Sequence, residues 1–129
     1  MYLLDTSALL AHCFGEPGAD EVAALLASGA AYVAAVTWFE LCVRLEDSPR
    51  GTEVLEIYAG SVAGTVDITQ KVAQVAFALR QSVGFRIPTA DCLIAGAAKE
   101  RGYQLVHRDA HLESIPREWL AQKVLPPKR

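Results

Sequence analysis

No apolar run in this chain approaches the roughly 20 residues needed to cross a bilayer as a helix, so membrane insertion is not expected. No basic leader precedes the first apolar stretch. Met1-Tyr2-Leu3-Leu4 meets an acid at Asp5, which speaks against a signal peptide. Cysteine is scarce. Cys13, Cys42 and Cys92 are odd in number, far apart and without Cys-x-x-Cys spacing. That argues against a disulfide framework or a zinc knuckle and points to buried thiols in a reducing compartment. There is no block of like charge, and the net charge is only −3. Global charge therefore offers no route to nucleic acid, and an RNA partner would need a bound cation to supply much of the attraction. With 52% hydrophobic and 21% charged residues the chain can bury a core, which excludes a disordered reading. Its 129 residues suit one domain, expected in the cytoplasm.

What is present is an alternation of short apolar runs with helical patterns. Tyr2-Leu3-Leu4 reads as a strand, followed by a polar turn and a helix through Cys13. Gly15 to Gly18 breaks the chain, and Asp20 to Ser28 carries helical apolar spacing up to Gly29. Residues 31–36 read as a second strand, and Thr37 opens a helix to about Glu46. A helix over 52–61, a strand over 64–68 and a helix capped by Thr69 follow. From Pro88 to Arg101 the pattern is helical and nearly all apolar, as in a helix buried on more than one side. Residues 103–107 are a fourth strand, and 123–125 a fifth. The reading is a single α/β domain over residues 1–125, with a short tail over 126–129. A mostly parallel sheet of four or five strands, helices on both faces, follows from the crossovers. Such sheets place ligands at the carboxyl ends of their strands, near the point where strand order reverses.

Four acids fall at such places. Asp5 directly follows the first strand, and Asp109 follows the fourth by one residue. Glu40 and Asp91 lie in the first turns of helices that begin near the same rim. Each has a plainer explanation taken singly. Asp5 suits an N-cap, Thr37-x-x-Glu40 a capping box, Asp91 a helix-dipole partner and Asp109 a turn. Together, four carboxylates in one pocket repel one another and raise each other's pKa unless a cation is held between them. Oxygen-only ligation suits Mg²⁺, with Mn²⁺ as an alternative, and a metal so held can activate water against a phosphodiester.

The ordered segments make the comparison specific. They are Leu4-Asp5-Thr6-Ser7-Ala8-Leu9, Thr37-Trp38-Phe39-Glu40-Leu41, residues 87–98 around Asp91, and Leu105-Val106-His107-Arg108-Asp109. The chain resembles a PIN-domain ribonuclease, and most of all the VapC-type toxins of VapBC toxin–antitoxin pairs, essentially from Met1 to Leu125. That resemblance implies RNA cleavage, a metal site of Asp5, Glu40, Asp91 and Asp109, inhibition by a VapB-like antitoxin, and a homodimer. Thr6 and Arg108, beside two of the acids, are candidates for contacting the RNA substrate. Trp38, Phe14, Leu10, Leu41 and Leu45 are candidates for an apolar groove that takes an antitoxin helix, ordinary core being the plainer reading of Leu10 and Leu41.

Two positions depart from the family pattern. Relatives often carry Thr or Ser where His107 stands, and a further Asp where His111 stands. The second change implies one tight metal position and a weaker second one. His107 is read as a strand-end histidine bonded to backbone, and His111 as a phosphate contact or a solvent-facing residue. His107-x-x-x-His111 alone makes no zinc site. Two other functional readings stay within the same fold: a nuclease in RNA processing outside any toxin pair, and a binding module that has lost activity. The latter would be expected to lack an acid, and all four are present. A phosphatase using Asp-x-Asp after its first strand is disfavoured by Ser7, and a receiver domain by the missing acidic pair.

Overall fold

The computed structural model describes residues 1–128. In chain order the elements are β1 (Tyr2–Leu4), α1 (Thr6–Cys13), α2 (Ala19–Ala27), β2 (Ala31–Ala34), α3 (Ala35–Leu45) and α4 (Gly51–Ser61). Then follow β3 (Gly64–Val66), α5 (Gln70–Ser82), α6 (Thr89–Arg101), β4 (Gln104–His107), α7 (Ala110–Glu113) and β5 (Gln122–Val124). All strand pairs are parallel, in the order β3-β2-β1-β4-β5. The chain builds outward from β1 to β3 on one side and then returns to add β4 and β5 on the other. The reversal point is the crevice between β1 and β4, where Asp5 and Asp109 leave the sheet.

Period-two alternation assigns successive strand residues to opposite faces. Leu3, Ala34 and Leu105 join the core under α5, α6 and α7, with Val72, Ala76, Ile94 and Leu112. Leu4, Val33 and Val106 join the core under α1 to α4, with Leu9, Val22, Leu41 and Tyr58. Both faces are covered, which is why β1 and β2 read as unbroken apolar runs. Gly96 sets the spacing of one layer. A Cβ there would stand 2.7 Å from the Cβ of Ala76 and 2.9 Å from the carbonyl oxygen of Val72, so only hydrogen admits α5 this close to α6. Thr69 caps α5 as expected, accepting from the Val72 N–H at 3.2 Å. Gly102 ends α6 in the left-handed region at φ 71°.

Several boundaries differ from the sequence reading. β2 stops at Ala34, and α3 begins at Ala35, so Thr37 lies inside the helix rather than capping it. The apolar run 31–36 could not separate strand from buried helix, because period fails in a run without polar marks. β3 ends at Val66, two residues short of the expected end. α7 appears where only a turn was expected; four residues are too few to show a helical period. The cysteines are all free, but Cys42 is exposed rather than buried, on the outer side of α3. Leu125 is buried, and 126–128 carry no helix or strand; Arg129 of the expected tail lies outside the described residues. No helix among the described residues is long and apolar enough to cross a membrane.

Candidate metal centre

Asp5 directly follows β1 and is 3% exposed. Its carboxylate does not cap α1. Instead Oδ2 accepts from the Ser7 hydroxyl at 2.7 Å, while Ser7 Oγ itself accepts the Arg108 backbone N–H at 3.1 Å. Ser7 thus ties the end of β1 to the segment that follows β4. Burial pushes the Asp5 carboxyl above its ordinary range and the nearby Glu40 adds to this, against the hydrogen bonds from Ser7 and the Thr6 backbone.

Glu40 does not close a capping box. With α3 starting at Ala35, it lies in the second turn and accepts the Thr6 hydroxyl at 2.5 Å. The fold therefore assigns Thr6 to holding Glu40, across two elements, and leaves it 9% exposed. Asp91 sits in the first turn of α6, at the end of the loop that contains Pro88. Asp109 combines two duties, since its Oδ1 caps α7 by accepting from His111 N at 2.8 Å and Leu112 N at 3.1 Å.

Asp91, Asp109 and His111 each offer a ligand atom, and these atoms all lie within 4.8 Å of one another. The Asp91 carboxyl is pushed up to about 7 from 3.8, first by burial, then by the charges of Asp109, Asp5 and Glu40, with His111 opposing. The charges of the other three expected acids thus all reach the Asp91 carboxyl, though only Asp91 and Asp109 belong to the tight group. Its third member, His111, was undervalued in sequence. The available signal was position: two residues after Asp109, in the first turn that Asp109 caps, a side chain returns towards the same rim. The donor set fits a divalent cation, because two or more carboxylates that resist ionising together are relieved by one.

Arg108 is less open to solvent than its sequence position suggested. Its guanidinium pairs with Glu16, which also holds Lys128 at 3.1 Å, and its side chain is 11% exposed. One of its nitrogens, Nη1, is buried without a partner. The expected apolar groove does not form from the five residues named for it. Leu10, Leu41 and Leu45 are core, and Trp38 is half-buried with its indole N–H on Thr65 Oγ1 at 2.9 Å. Only Phe14 is exposed.

The family model for the PIN domain matches residues 2–118. The chain belongs to the PIN-domain family. PIN domains are generally nucleases that use a divalent metal. Comparison with curated proteins gives no sequence match. Among solved structures, the fold is shared with a chain of VapBC2 from Rickettsia felis bound to a promoter DNA fragment. The TM-score is 0.79 at 20% identity, over 97% of this chain and 98% of that one. A chain of DNA-bound VapBC from Salmonella typhimurium gives 0.79 at 21% identity, over 95% and 96%. One of VapBC-5, from a toxin–antitoxin family member of Mycobacterium tuberculosis, gives 0.69 at 19%, over 97% of each. At these identities the likeness is one of fold.

Proposed function

We propose that this PIN domain is a Mg²⁺-dependent endoribonuclease and the toxin half of a VapBC-type toxin–antitoxin pair. The observation that carries the nuclease reading is the meeting of Asp91, Asp109 and His111 at the crevice where strand order reverses, with Asp5 and Glu40 beside them. Asp91 and Asp109 would be the principal ligands, with Asp5 and Glu40 completing the negative pocket. When bound, the ion would stabilise charge on a phosphodiester and make a water more acidic. Glu40, steadied by Thr6, would orient a water beside the ion and accept a proton from it. Residues 1–125 are the working nuclease unit.

The toxin reading rests on the solved relatives, which are VapBC complexes, and brings with it a VapB-like antitoxin as partner. Phe39 and Val43 on α3 and Phe77 on α5 are exposed apolar groups available to a second copy in a homodimer. All four acids are retained, which counts against an inactive binding module. The purified chain, freed of antitoxin, is expected to cleave a sensitive RNA with Mg²⁺ or Mn²⁺, to stop in EDTA, and to recover when the ion is restored. Full cleavage in EDTA would contradict the assignment.

A further inference from the structure

His107 is the last residue of β4, lies beside the pocket, and is fully buried at 0% exposure. A buried imidazole in an apolar layer is costly unless both ring nitrogens are partnered. Both are. The backbone N–H of Asp109 donates to Nδ1 at 3.0 Å, and Nε2 meets Gln122 Oε1 at 2.8 Å. Because Nδ1 accepts, the ring proton sits on Nε2 and donates to the Gln122 oxygen. The amide nitrogen of Gln122 in turn donates to the Ile115 carbonyl at 2.7 Å, which orients the amide. Every member of this chain is satisfied in one arrangement only.

The consequence falls on Asp109. Its backbone N–H is held by the His107 ring, and its Oδ1 is held by the first turn of α7, so the residue is fixed at both its main chain and its side chain. A side chain that accepts the N–H two residues on closes a tight local turn and sets the direction in which the chain leaves a strand. Here that turn delivers Asp109 to the pocket shared with Asp91 and His111. We propose that His107, oriented by Gln122, is a positioning residue for Asp109. It sets the pocket's affinity for a divalent ion without touching that ion. This inference rests on the metal-nuclease reading; the acceptor at Nδ1 does the positioning, and Gln122 of β5, 15 positions along the chain, holds the long imidazole in the orientation that a shorter acceptor does not need.

The test uses two nearly isosteric pairs. His107→Asn places an acceptor where Nδ1 was, and His107→Leu has the same shape without one; both lose the reach to Gln122. His107→Thr and His107→Val pose the same question with a smaller side chain, and keep the test decisive if the first pair folds poorly. Mn²⁺ binding to the RNA-free chain is measured by electron paramagnetic resonance, beside thermal stability and hydrogen exchange of the Asp109 amide. Removal of a group that orients a metal ligand typically weakens binding about 10–100-fold. The Leu and Val variants are expected to lose that much, and their Asp109 amide to exchange faster. The Asn and Thr variants should stay within about 3-fold of wild type, a small part of that range. A purely structural histidine would lower the stability of both members of a pair alike and leave their Mn²⁺ affinities equal. Equal affinities within each pair, with wild type still binding, would overturn the positioning role alone. Failure of the wild-type chain to bind Mn²⁺ would overturn the metal reading and this inference with it.

Discussion

Asp91→Asn is expected to abolish RNA cleavage while making the metal-free protein more resistant to heat at alkaline pH. The two effects have one cause. Burial, followed by the charges of Asp109, Asp5 and Glu40, raises the Asp91 carboxyl from 3.8 to about 7. Between those values the folded protein keeps a proton that the unfolded chain has given up. Stability of the metal-free protein therefore falls as pH rises through this window, and the whole penalty is present above about 7. Asparagine carries no such charge, so the variant's advantage grows from nothing at acid pH to its full size above neutrality. The site is partly open to water, which screens the repulsion, so the gain in melting temperature is set at roughly 2–5 °C. Added Mg²⁺ should reverse the ranking, because an ion that binds only the folded state stabilises the wild type and not the variant. Near-wild-type cleavage by Asp91→Asn, or a lower melting temperature at alkaline pH in EDTA, would contradict this account.

Glu40→Gln is expected to lower cleavage by about 10²–10⁴-fold at a nearly unchanged melting temperature, the range typical of a lost general base. A helix-capping role would predict persistence of activity, since glutamine serves a capping box as well as glutamate. The structure removes that explanation, because Thr37 lies within α3 and the Glu40 carboxylate accepts from Thr6 instead. Glutamine retains an oxygen for the Thr6 hydroxyl, so shape and hydrogen bond survive while the charge is lost. Parallel measurement of melting temperature and Mg²⁺-dependent cleavage separates the roles. A stable variant with wild-type turnover would remove Glu40 from the chemistry.

Much of this architecture was legible in the sequence because both sheet faces are buried. The runs at 2–4 and 31–34 are apolar throughout and 104–107 has an apolar centre in Leu105 and Val106, and the helices between them force parallel crossovers. Asp5 and Asp109 could be placed at one rim from those strands alone. Their partners could not. That Thr6 steadies Glu40, that Ser7 joins Asp5 to the Arg108 backbone, and that Arg108 pairs with Glu16 all depend on side-chain contacts 34 or more positions apart. Period and propensity carry no information about such contacts. The helix start at Ala35 was hidden for a different reason, since a continuous apolar run offers no polar residue to mark the change from strand to helix. In sequence His111 reads as a phosphate contact or a solvent-facing residue, and only the cap formed by Asp109 shows why it returns to the pocket.

The claim at the centre of this account is that the carboxylates between β1 and β4 hold the divalent ion that RNA cleavage requires. Mn²⁺ binding and RNA cleavage, titrated on the same antitoxin-free preparation, test it most directly. The account predicts that the Mn²⁺ concentration giving half-maximal cleavage coincides with the directly measured dissociation constant of one tight site, and that Asp91→Asn or Asp109→Asn removes both together. Cleavage that persists when those substitutions have abolished binding, or tight binding that survives both of them, would contradict it.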